Sequence, residues 1–272
     1  MKKVLTIAGS DSGGGAGIQA DIKTFCAHGV FGMSVITAVT AQNTLEVKAV
    51  QDISPGIIEK QIDAIYEDMG TDAVKIGMVS RTGSIKAIAG RLRMYRPGNI
   101  VLDPVMVSKS GYDLLVPEAV GALIKELVPL VDVITPNIPE AEKITGRSIN
   151  NIEDAEEAAK AIHALGAKNV LVKGGHFSGK PTDILYDGEN IYRLESERIQ
   201  TKNTHGTGCT LSSAIASNLA LGFPVKEAVE RAKEYITGAI KNHVSIGEKG
   251  VGPVNHLYAL YERAGFNYLF DR

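Results

Sequence analysis

Residues 99–137 read NIVLDPVMVSKSGYDLLVPEAVGALIKELVPLVDVITPN and contain two short apolar runs separated by a segment of helical period. The runs NIVLDPV (99–105) and VDVITPN (131–137) are rich in β-branched residues, which favour strands. In VPEAVGALIKELVPL (116–130), apolar residues recur every three to four positions, which indicates a helix. A strand, a crossover helix and a second strand form the repeating unit of a parallel sheet.

The same alternation extends along the chain in both directions. Short apolar runs predict further strands at 4–9, 33–41, 73–78 and 169–175. Helical periodicity predicts helices at 18–29, 56–70, 153–166, 210–222 and 224–243. Continuously apolar strands are typical of a sheet that is covered on both faces. We therefore predict an α/β fold with a doubly wound, mostly parallel sheet and helices on both faces.

The segment TDILYDGENIYRLESERI (182–199) departs from this alternation. It is interpreted as two strands joined by a turn at 187–190, which predicts a late β-hairpin at the edge of the sheet. The pattern after this segment is helical. No internal repeat, low-complexity tract or linker divides the sequence, so residues 1–272 are interpreted as a single domain.

Composition and charge narrow the class of protein. With 29 Lys and Arg against 31 Asp and Glu, the formal net charge is −2, which gives no basic field for nucleic acid. The hydrophobic fraction of 44% is that of a folded chain. No stretch reaches the roughly 18 apolar residues of a membrane span, so no membrane partner is expected. Two cysteines, with no evident need for a disulfide, favour a cytoplasmic location.

Two glycine-rich segments match nucleotide-binding motifs only in part. Residues 15–20 fit the G-x-G-x-x-A spacing, but no acidic residue is suitably placed about 20 positions later. GGHFSGKP (174–181) has the spacing of a P-loop, but Pro181 replaces the Ser or Thr that would bind a metal. Both segments are therefore interpreted as loops of another kind.

A third glycine-rich segment, NTHGTGCT (203–210), leads directly into a predicted helix. Backbone N–H groups that converge at a helix N-terminus bind anions, and the helix dipole adds partial positive charge there. The alternative is a glycine-rich turn that only begins the helix. The candidate donors are the N–H groups of Gly206, Thr207, Gly208 and Cys209.

The two cysteines lie in different surroundings. Cys209 is at the predicted helix N-terminus, where the pKa of a thiol tends to fall and the thiolate can act as a base or nucleophile. Cys26 lies inside the predicted helix 18–29, and we expect it to fill the core.

Polar side chains follow two further strands, where ligands of open parallel sheets bind. Asn137 and Glu140 begin the helix after strand 131–137, and their oxygens suit Mg²⁺, usually through waters. The alternative is a capping box that begins the helix. Lys173 ends an otherwise apolar strand, which favours contact with a phosphate over a solvated face.

Seven segments, taken in order and spacing, resemble the hydroxymethylpyrimidine and phosphomethylpyrimidine kinases of thiamine biosynthesis. These enzymes belong to the ribokinase-like superfamily and are close to the pyridoxal kinases. The resemblance extends from residue 4 to about residue 256. It rests on AGSDSGGGAGIQAD, TAQNT, VKIGM, DPVMVSKSG, ITPNIPEAE, VKGGH and THGTGC.

The resemblance implies transfer of the ATP γ-phosphoryl group to 4-amino-5-hydroxymethyl-2-methylpyrimidine and then to its monophosphate. In this scheme Cys209 accepts the proton of the substrate alcohol. The second transfer has a phosphate oxygen as acceptor and needs no base. The transferring phosphoryl group is bound by the amides of Gly206, Thr207 and Gly208.

The resemblance also implies ATP and Mg²⁺ as cofactors. Asn137, Glu140 and Asp103 would lie near the metal, mostly through water, although Asp103 is alternatively a loop-capping carboxylate. The ATP side of the site would include further residues on strand ends and loops. These are Lys173, Thr135, the lid residue Lys109, which is alternatively an exposed loop lysine, and His205, which is alternatively a turn residue.

For the acceptor, the resemblance places Gln42 against the aminopyrimidine edge, since a Gln side chain carries both a donor and an acceptor. Asp21 would accept a hydrogen bond from the substrate, and Gly9 would admit the ring. Met78 and Val105 would form apolar walls, with plain core packing as the alternative. TAQNT favours a pyrimidine over pyridoxine, which is the alternative substrate. Similar kinases are often homodimers through the sheet edge, and we expect the same here.

Overall fold

The structure is a computed structural model that describes residues 1–108, 111–175, 180–247 and 249–266. Nine strands of the described chain form one sheet in the order β3-β2-β1-β4-β5-β6-β7-β8-β9. The six strands from β2 to β7 in this order are parallel, whereas β3, β8 and β9 are antiparallel to their neighbours. The strands are β1 Lys3–Asp11, β2 Phe31–Gln42, β3 Val47–Asp52, β4 Ala73–Ile76, β5 Ile100–Leu102, β6 Val133–Ile134, β7 Asn169–Val172, β8 Thr182–Tyr186 and β9 Ile191–Glu195.

Helices cover both faces of this sheet. One core layer packs under the helices between β3 and β7, and the other packs under the first helix and the two long helices after β9. Adjacent residues of one strand supply opposite layers: Val4 belongs to one core and Leu5 to the other. The α-helices are α1 Gly17–Ala27, α2 Pro55–Tyr66, α3 Thr82–Tyr95, α4 Pro117–Ala122, α5 Ile138–Thr145, α6 Ile152–His163, α7 Thr207–Ala220, α8 Val225–Lys241 and α9 Tyr258–Arg263.

The predicted doubly wound sheet and late hairpin are confirmed. β8 and β9 pair antiparallel, and β9 is the last strand of the sheet. Strand β3 was not predicted, because its sequence VKAVQD has no apolar run and most of its side chains are not buried. The predicted helix 116–130 is divided into α4, one π-helical segment (Leu123–Leu127) and one 3-10 turn (Val128–Leu130). Pro129 lacks the N–H that would continue α-helical bonding.

The prediction that Cys26 fills the core is wrong. Its neighbour Phe25 is fully buried, and Cys26, turned by about 100° around α1, is exposed.

Among the described residues, no helix is both long and apolar enough to cross a lipid bilayer. The carboxyl ends of the parallel strands share one edge of the sheet, and ligands of open α/β sheets bind at this edge.

Candidate active site

A cavity of about 920 Å³ lies at the carboxyl ends of the parallel strands. It brings together thirteen of the sixteen residues that the sequence suggested. Asp21 and Thr135 are described but do not line it, and Lys109 lies outside the described residues. Its walls include Gly9, Gln42, Met78, Asp103, Val105, Asn137, Glu140, Lys173, His205, Gly206, Thr207, Gly208 and Cys209.

The first turn of α7 opens into this cavity. Gly206 precedes the helix with a φ of 79°, and a Cβ there would lie 1.8 Å from the carbonyl oxygen of Gly15. Only glycine fits this left-handed, closely packed position. The hydroxyl of Thr207 donates to the Thr204 carbonyl at 2.7 Å. The turn therefore directs the N-terminal amides of a 14-residue helix toward the cavity.

Lys173 meets Asp103 beside this helix start. The Lys173 ammonium donates to Asp103 Oδ1 at 2.9 Å, and Asp103 is buried. A Cβ on Gly208 would lie 3.3 Å from both Asp103 Oδ2 and Lys173 Nζ. Burial by itself lowers the pKa of Lys173, but Asp103 and Glu140 raise it above its usual value. The ammonium is therefore a fixed positive charge at the edge of the cavity. Thr135 lies below it, with its hydroxyl 3.4 Å from Asp103 Oδ1.

Asn137 and Glu140 form a complete capping box at the start of α5. The Asn137 side chain accepts from the Glu140 amide at 2.9 Å, and the Asn137 amide donates to Glu140 Oε2 at 2.8 Å. Both residues also line the cavity, so the capping role and an oxygen-ligand role are compatible. Burial raises the pKa of the Glu140 carboxyl; Lys173 opposes this shift and Asp103 adds to it.

These oxygens fit a divalent cation that is held through water. The described part of the chain has no group of three or more His, Cys, Asp or Glu side chains close enough to coordinate a metal directly. Asn137, Glu140 and Asp103 nevertheless all line the cavity, and the charge of Asp103 acts on Glu140. A hydrated Mg²⁺, which keeps several of its waters, suits such a sparse set of hard oxygen donors.

The thiol of Cys209 has a different acidity from the one that its helix position predicts. Burial raises its pKa to about 11; the Lys75 charge lowers it, while Asp21 and Asp103 raise it. The expectation of a lowered pKa is therefore wrong. Loss of water around the sulfur is the largest effect, and it outweighs the attraction of Lys75.

Below Cys209 lies an ion pair that the sequence analysis missed. Lys75 donates to both oxygens of Asp21 at 2.9 Å, and neither side chain has any exposed area. The hydroxyls of Thr6 and Ser213 donate to the same carboxylate at 2.6 and 2.7 Å. Asp21 is thus fully engaged and does not line the cavity, although Lys75 does, and this arrangement does not support the expected direct hydrogen bond to substrate. A lysine inside the apolar run AVKIGM was the available signal.

A second missed residue, Asp11, organises the first glycine-rich loop. Its carboxylate accepts from the amides of Gly13, Gly15 and Ala16 at 2.8, 3.1 and 2.9 Å. It also lies 3.0 Å from Nε2 of His205 and so joins this loop to the turn before α7. His205 is therefore occupied by the loop, and the turn role fits it better than contact with a phosphate.

The acceptor side of the cavity is narrow and partly apolar. A Cβ on Gly9 would lie 3.0 Å from Sδ of Met78, so a larger residue would close the space. Met78 is buried and Val105 half-buried, and both line the cavity as well as packing. Gln42 is half-buried at the carboxyl end of β2, and it lines this space.

On the opposite side, Lys233 and Asp183 form a third buried pair that the sequence did not suggest. Lys233 Nζ lies 2.6 Å from Asp183 Oδ2, and Asp183 Oδ1 accepts from the Gly174 amide at 2.8 Å. The pair fixes the loop after β7, which follows Lys173. Asp183 belongs to β8 and Lys233 to α8, so no local pattern connects them.

Comparison with known proteins agrees with this site. A family model described as phosphomethylpyrimidine kinase matches residues 11–255. The chain is 56% identical to a hydroxymethylpyrimidine/phosphomethylpyrimidine kinase of Rhizobium meliloti, over 93% of this chain and 96% of that protein. It is 52% identical to the thiamine biosynthesis bifunctional protein ThiED of Geobacter sulfurreducens, over 94% of this chain, and it spans about half (52%) of that longer protein.

Its structure also resembles that of a Bacillus subtilis pyridoxal kinase in complex with ADP. The TM-score is 0.89 at 44% identity, with 96% of this chain and 99% of that chain covered. The likeness confirms the ribokinase-like fold inferred from the sequence motifs. By sequence, structure and the composition of its cavity, this chain belongs to the phosphomethylpyrimidine kinase family of phosphotransferases.

Proposed function

We propose that this chain, acting as a single kinase domain, transfers the γ-phosphoryl group of ATP to 4-amino-5-hydroxymethyl-2-methylpyrimidine and then to the resulting monophosphate. The diphosphate would serve thiamine biosynthesis. One observation carries the proposal: the first residues of α7, Cys209 among them, and Gln42 all line a single cavity. The residues proposed as anion site, proton acceptor and aminopyrimidine partner therefore border the same space.

The chain's own groups divide the work of phosphoryl transfer, which depends on positioning and charge stabilisation. The first amides of α7 hold the oxygens of the transferring group, and Lys173 compensates their charge from the neighbouring wall. Lys109 and Thr135 belong to the proposed ATP side as residues that cover and support the phosphates. Gln42 orients the pyrimidine ring, while Gly9, Met78 and Val105 limit its size.

Cys209 supplies the proton acceptor for the alcohol. Because its pKa is about 11, most of the thiol is protonated near neutral pH. At pH values below this pKa, the fraction of thiolate increases about tenfold for each unit by which the pH rises. The first transfer should therefore become faster as pH rises from 7 to 9, whereas the second transfer, which needs no base, should show no such rise.

Replacing Cys209 by Ala should lower kcat for the alcohol by about 100-fold or more, the usual contribution of a general base. The monophosphate has no proton to lose at its acceptor oxygen, so its kcat should fall by less than about tenfold. Steady-state rates with each acceptor, measured separately at saturating ATP, give the two ratios. Cys26→Ala is a matched control, since its thiol is exposed and outside the cavity. Equal losses with both acceptors would contradict the base role.

Mg²⁺ is proposed to lie against Asn137, Glu140 and Asp103 through water. When bound, it neutralises charge on the phosphoryl oxygens of ATP. Glu140→Gln keeps the side-chain shape and an oxygen acceptor for the Asn137 amide but removes the charge. We expect the Mg²⁺ concentration for half-maximal activity to rise about tenfold or more in a titration at fixed ATP. An unchanged Mg²⁺ dependence would remove Glu140 from the metal site.

The alternative acceptor is pyridoxine or pyridoxal. The likeness to the Bacillus subtilis pyridoxal kinase supports keeping it as a second candidate. A coupled assay of ADP release with hydroxymethylpyrimidine, its monophosphate and pyridoxal decides between them through the ratios of kcat/KM. Turnover of pyridoxal alone, with neither pyrimidine used, would overturn the pyrimidine assignment.

The proposal includes a homodimer in the cytoplasm. Strand β9 ends the sheet and offers an edge at which a second copy could pair. The two cysteines are both free, as a reducing compartment requires. Light scattering on the purified chain should give twice the mass of one chain; a monomer at micromolar concentration would contradict the dimer.

A further inference from the structure

The amide of Gln42 lies within a continuous line of polar groups. On one side its Nε2 atom is placed 3.3 Å from His205 Nε2, which is itself 3.0 Å from Asp11 Oδ2. On the other side its Oε1 atom is placed 3.3 Å from the hydroxyl of Thr40, which also lies 3.0 Å from the Ser10 carbonyl oxygen and can donate to it. Both ends of the line are anchored on β1 or its following loop, so each group has a fixed neighbour.

The chemistry of Asp11 determines which atoms carry hydrogen. Burial raises the pKa of Asp11, but His205 and the amides of Ala16 and Gly13 hold it below its usual value. An ionised carboxylate only accepts, so His205 Nε2 carries the hydrogen that points to Asp11. The imidazole packs closely against Gly15, where a Cβ would lie 2.4 Å from its Cδ2.

This hydrogen favours the reverse orientation of the Gln42 amide, whose oxygen and nitrogen ends have nearly the same shape and are assigned from their hydrogen bonds. An amide nitrogen 3.3 Å from an N–H would set two donors against each other, whereas the amide oxygen can share the Nε2 hydrogen with Asp11. With the oxygen toward His205, the NH2 group faces Thr40. The Thr40 hydroxyl gives its only hydrogen to Ser10 and can accept from that NH2 group. No two donors and no two acceptors then face each other along the line.

We propose that Asp11 and His205 are positioning residues that fix the order of donor and acceptor on Gln42, and thereby determine which ring edge the site accepts. This inference rests on the proposed function. Because the hydroxymethyl group must point to the start of α7, the ring cannot turn over to present its edge in reverse. The fixed amide then selects a ring with an amino donor beside a ring-nitrogen acceptor.

The 4-oxo analogue of the substrate alcohol tests this selection, since it presents a carbonyl acceptor beside a ring N–H donor. Both rings carry the same hydroxymethyl group, so effects on phosphoryl transfer cancel in the ratio of their kcat/KM values. For the wild-type chain we expect a preference of about 100-fold or more for the 4-amino ring. His205→Ala should reduce this preference at least tenfold, mainly through KM, because the amide can then turn by 180°.

Three further variants complete the test. His205→Gln restores a donor toward Asp11 and Gln42 and should recover part of the preference. Thr40→Val removes the acceptor at the other end and should weaken the preference even if His205→Ala fails to fold. Thr207→Val, in the same turn as His205, should lower both rates without changing their ratio.

The outcomes separate the inference from the function on which it rests. If His205→Ala and Thr40→Val use the 4-amino ring with the wild-type preference, the positioning role is overturned. If the wild-type chain phosphorylates neither pyrimidine, the proposed function itself fails. The inference is supported if the preference for the 4-amino ring falls in both variants and stays at the wild-type ratio in Thr207→Val.

Discussion

Replacing Lys75 by Met should lower the free energy of unfolding by about 3–5 kcal/mol, the cost of leaving a buried charge without its partner. Asp21 would keep only the hydroxyls of Thr6 and Ser213 as donors, in a place with no exposed area. A folded domain is stable by roughly 5–15 kcal/mol, so this loss is a large share of the total. Urea denaturation followed by circular dichroism measures it.

Two controls identify the cause. Lys168→Met also removes an ion pair, with Asp132 at 2.7 Å, but the Lys168 side chain is 73% exposed. Its loss should cost less than about 1 kcal/mol. The double variant Asp21→Leu, Lys75→Met removes both charges and should recover much of the stability, because no buried charge is left unpaired. If Lys75→Met costs no more than Lys168→Met, the buried pair does not have the stabilising role assigned to it.

Gly206→Ala should lower kcat/KM by about 100-fold or more, the effect of losing an oriented amide donor to a transferring group. The new Cβ would lie 1.8 Å from the Gly15 carbonyl oxygen, so the turn before α7 and the first glycine-rich loop must separate. The φ of 79° adds strain of about 1–2 kcal/mol for a residue with a side chain. Initial rates with each pyrimidine acceptor measure the loss.

Gly222→Ala separates strain from displacement. Gly222 follows α7 at its other end with a φ of 98°, and a Cβ there would meet no atom within 4 Å. This variant should lose about 1 kcal/mol of stability but keep its kinetic constants. A Gly206→Ala enzyme with wild-type kcat/KM would show that the α7 amides do not hold the transferring group.

Local features of the site were predictable from sequence. The turn before α7 and the capping box at Asn137 and Glu140 each lie within a few residues, and their spacing is a direct consequence of helix geometry. Lys173 was identifiable because a charge ends an apolar strand. The doubly wound sheet was predictable for the same reason, since strand and helix periods are local properties.

Residues that act through distant partners were not predictable in this way. Lys75 and Asp21 are 54 positions apart, Asp183 and Lys233 are 50 apart, and Asp11 and His205 are 194 apart. Strand β3 was missed for a related reason: its polar sequence becomes a strand only through pairing with β2. Propensity and period contain no information about such pairings.

The sequence by itself determined the α/β architecture, the strand-end loops and the family, because these depend on periodicity and on motifs of a few residues. Only the tertiary structure decided that Asp21 is a buried counter-charge, that Cys26 is exposed, and that the thiol of Cys209 has a raised pKa. Burial and charge pairing depend on which elements pack together, and that packing is a property of the whole fold.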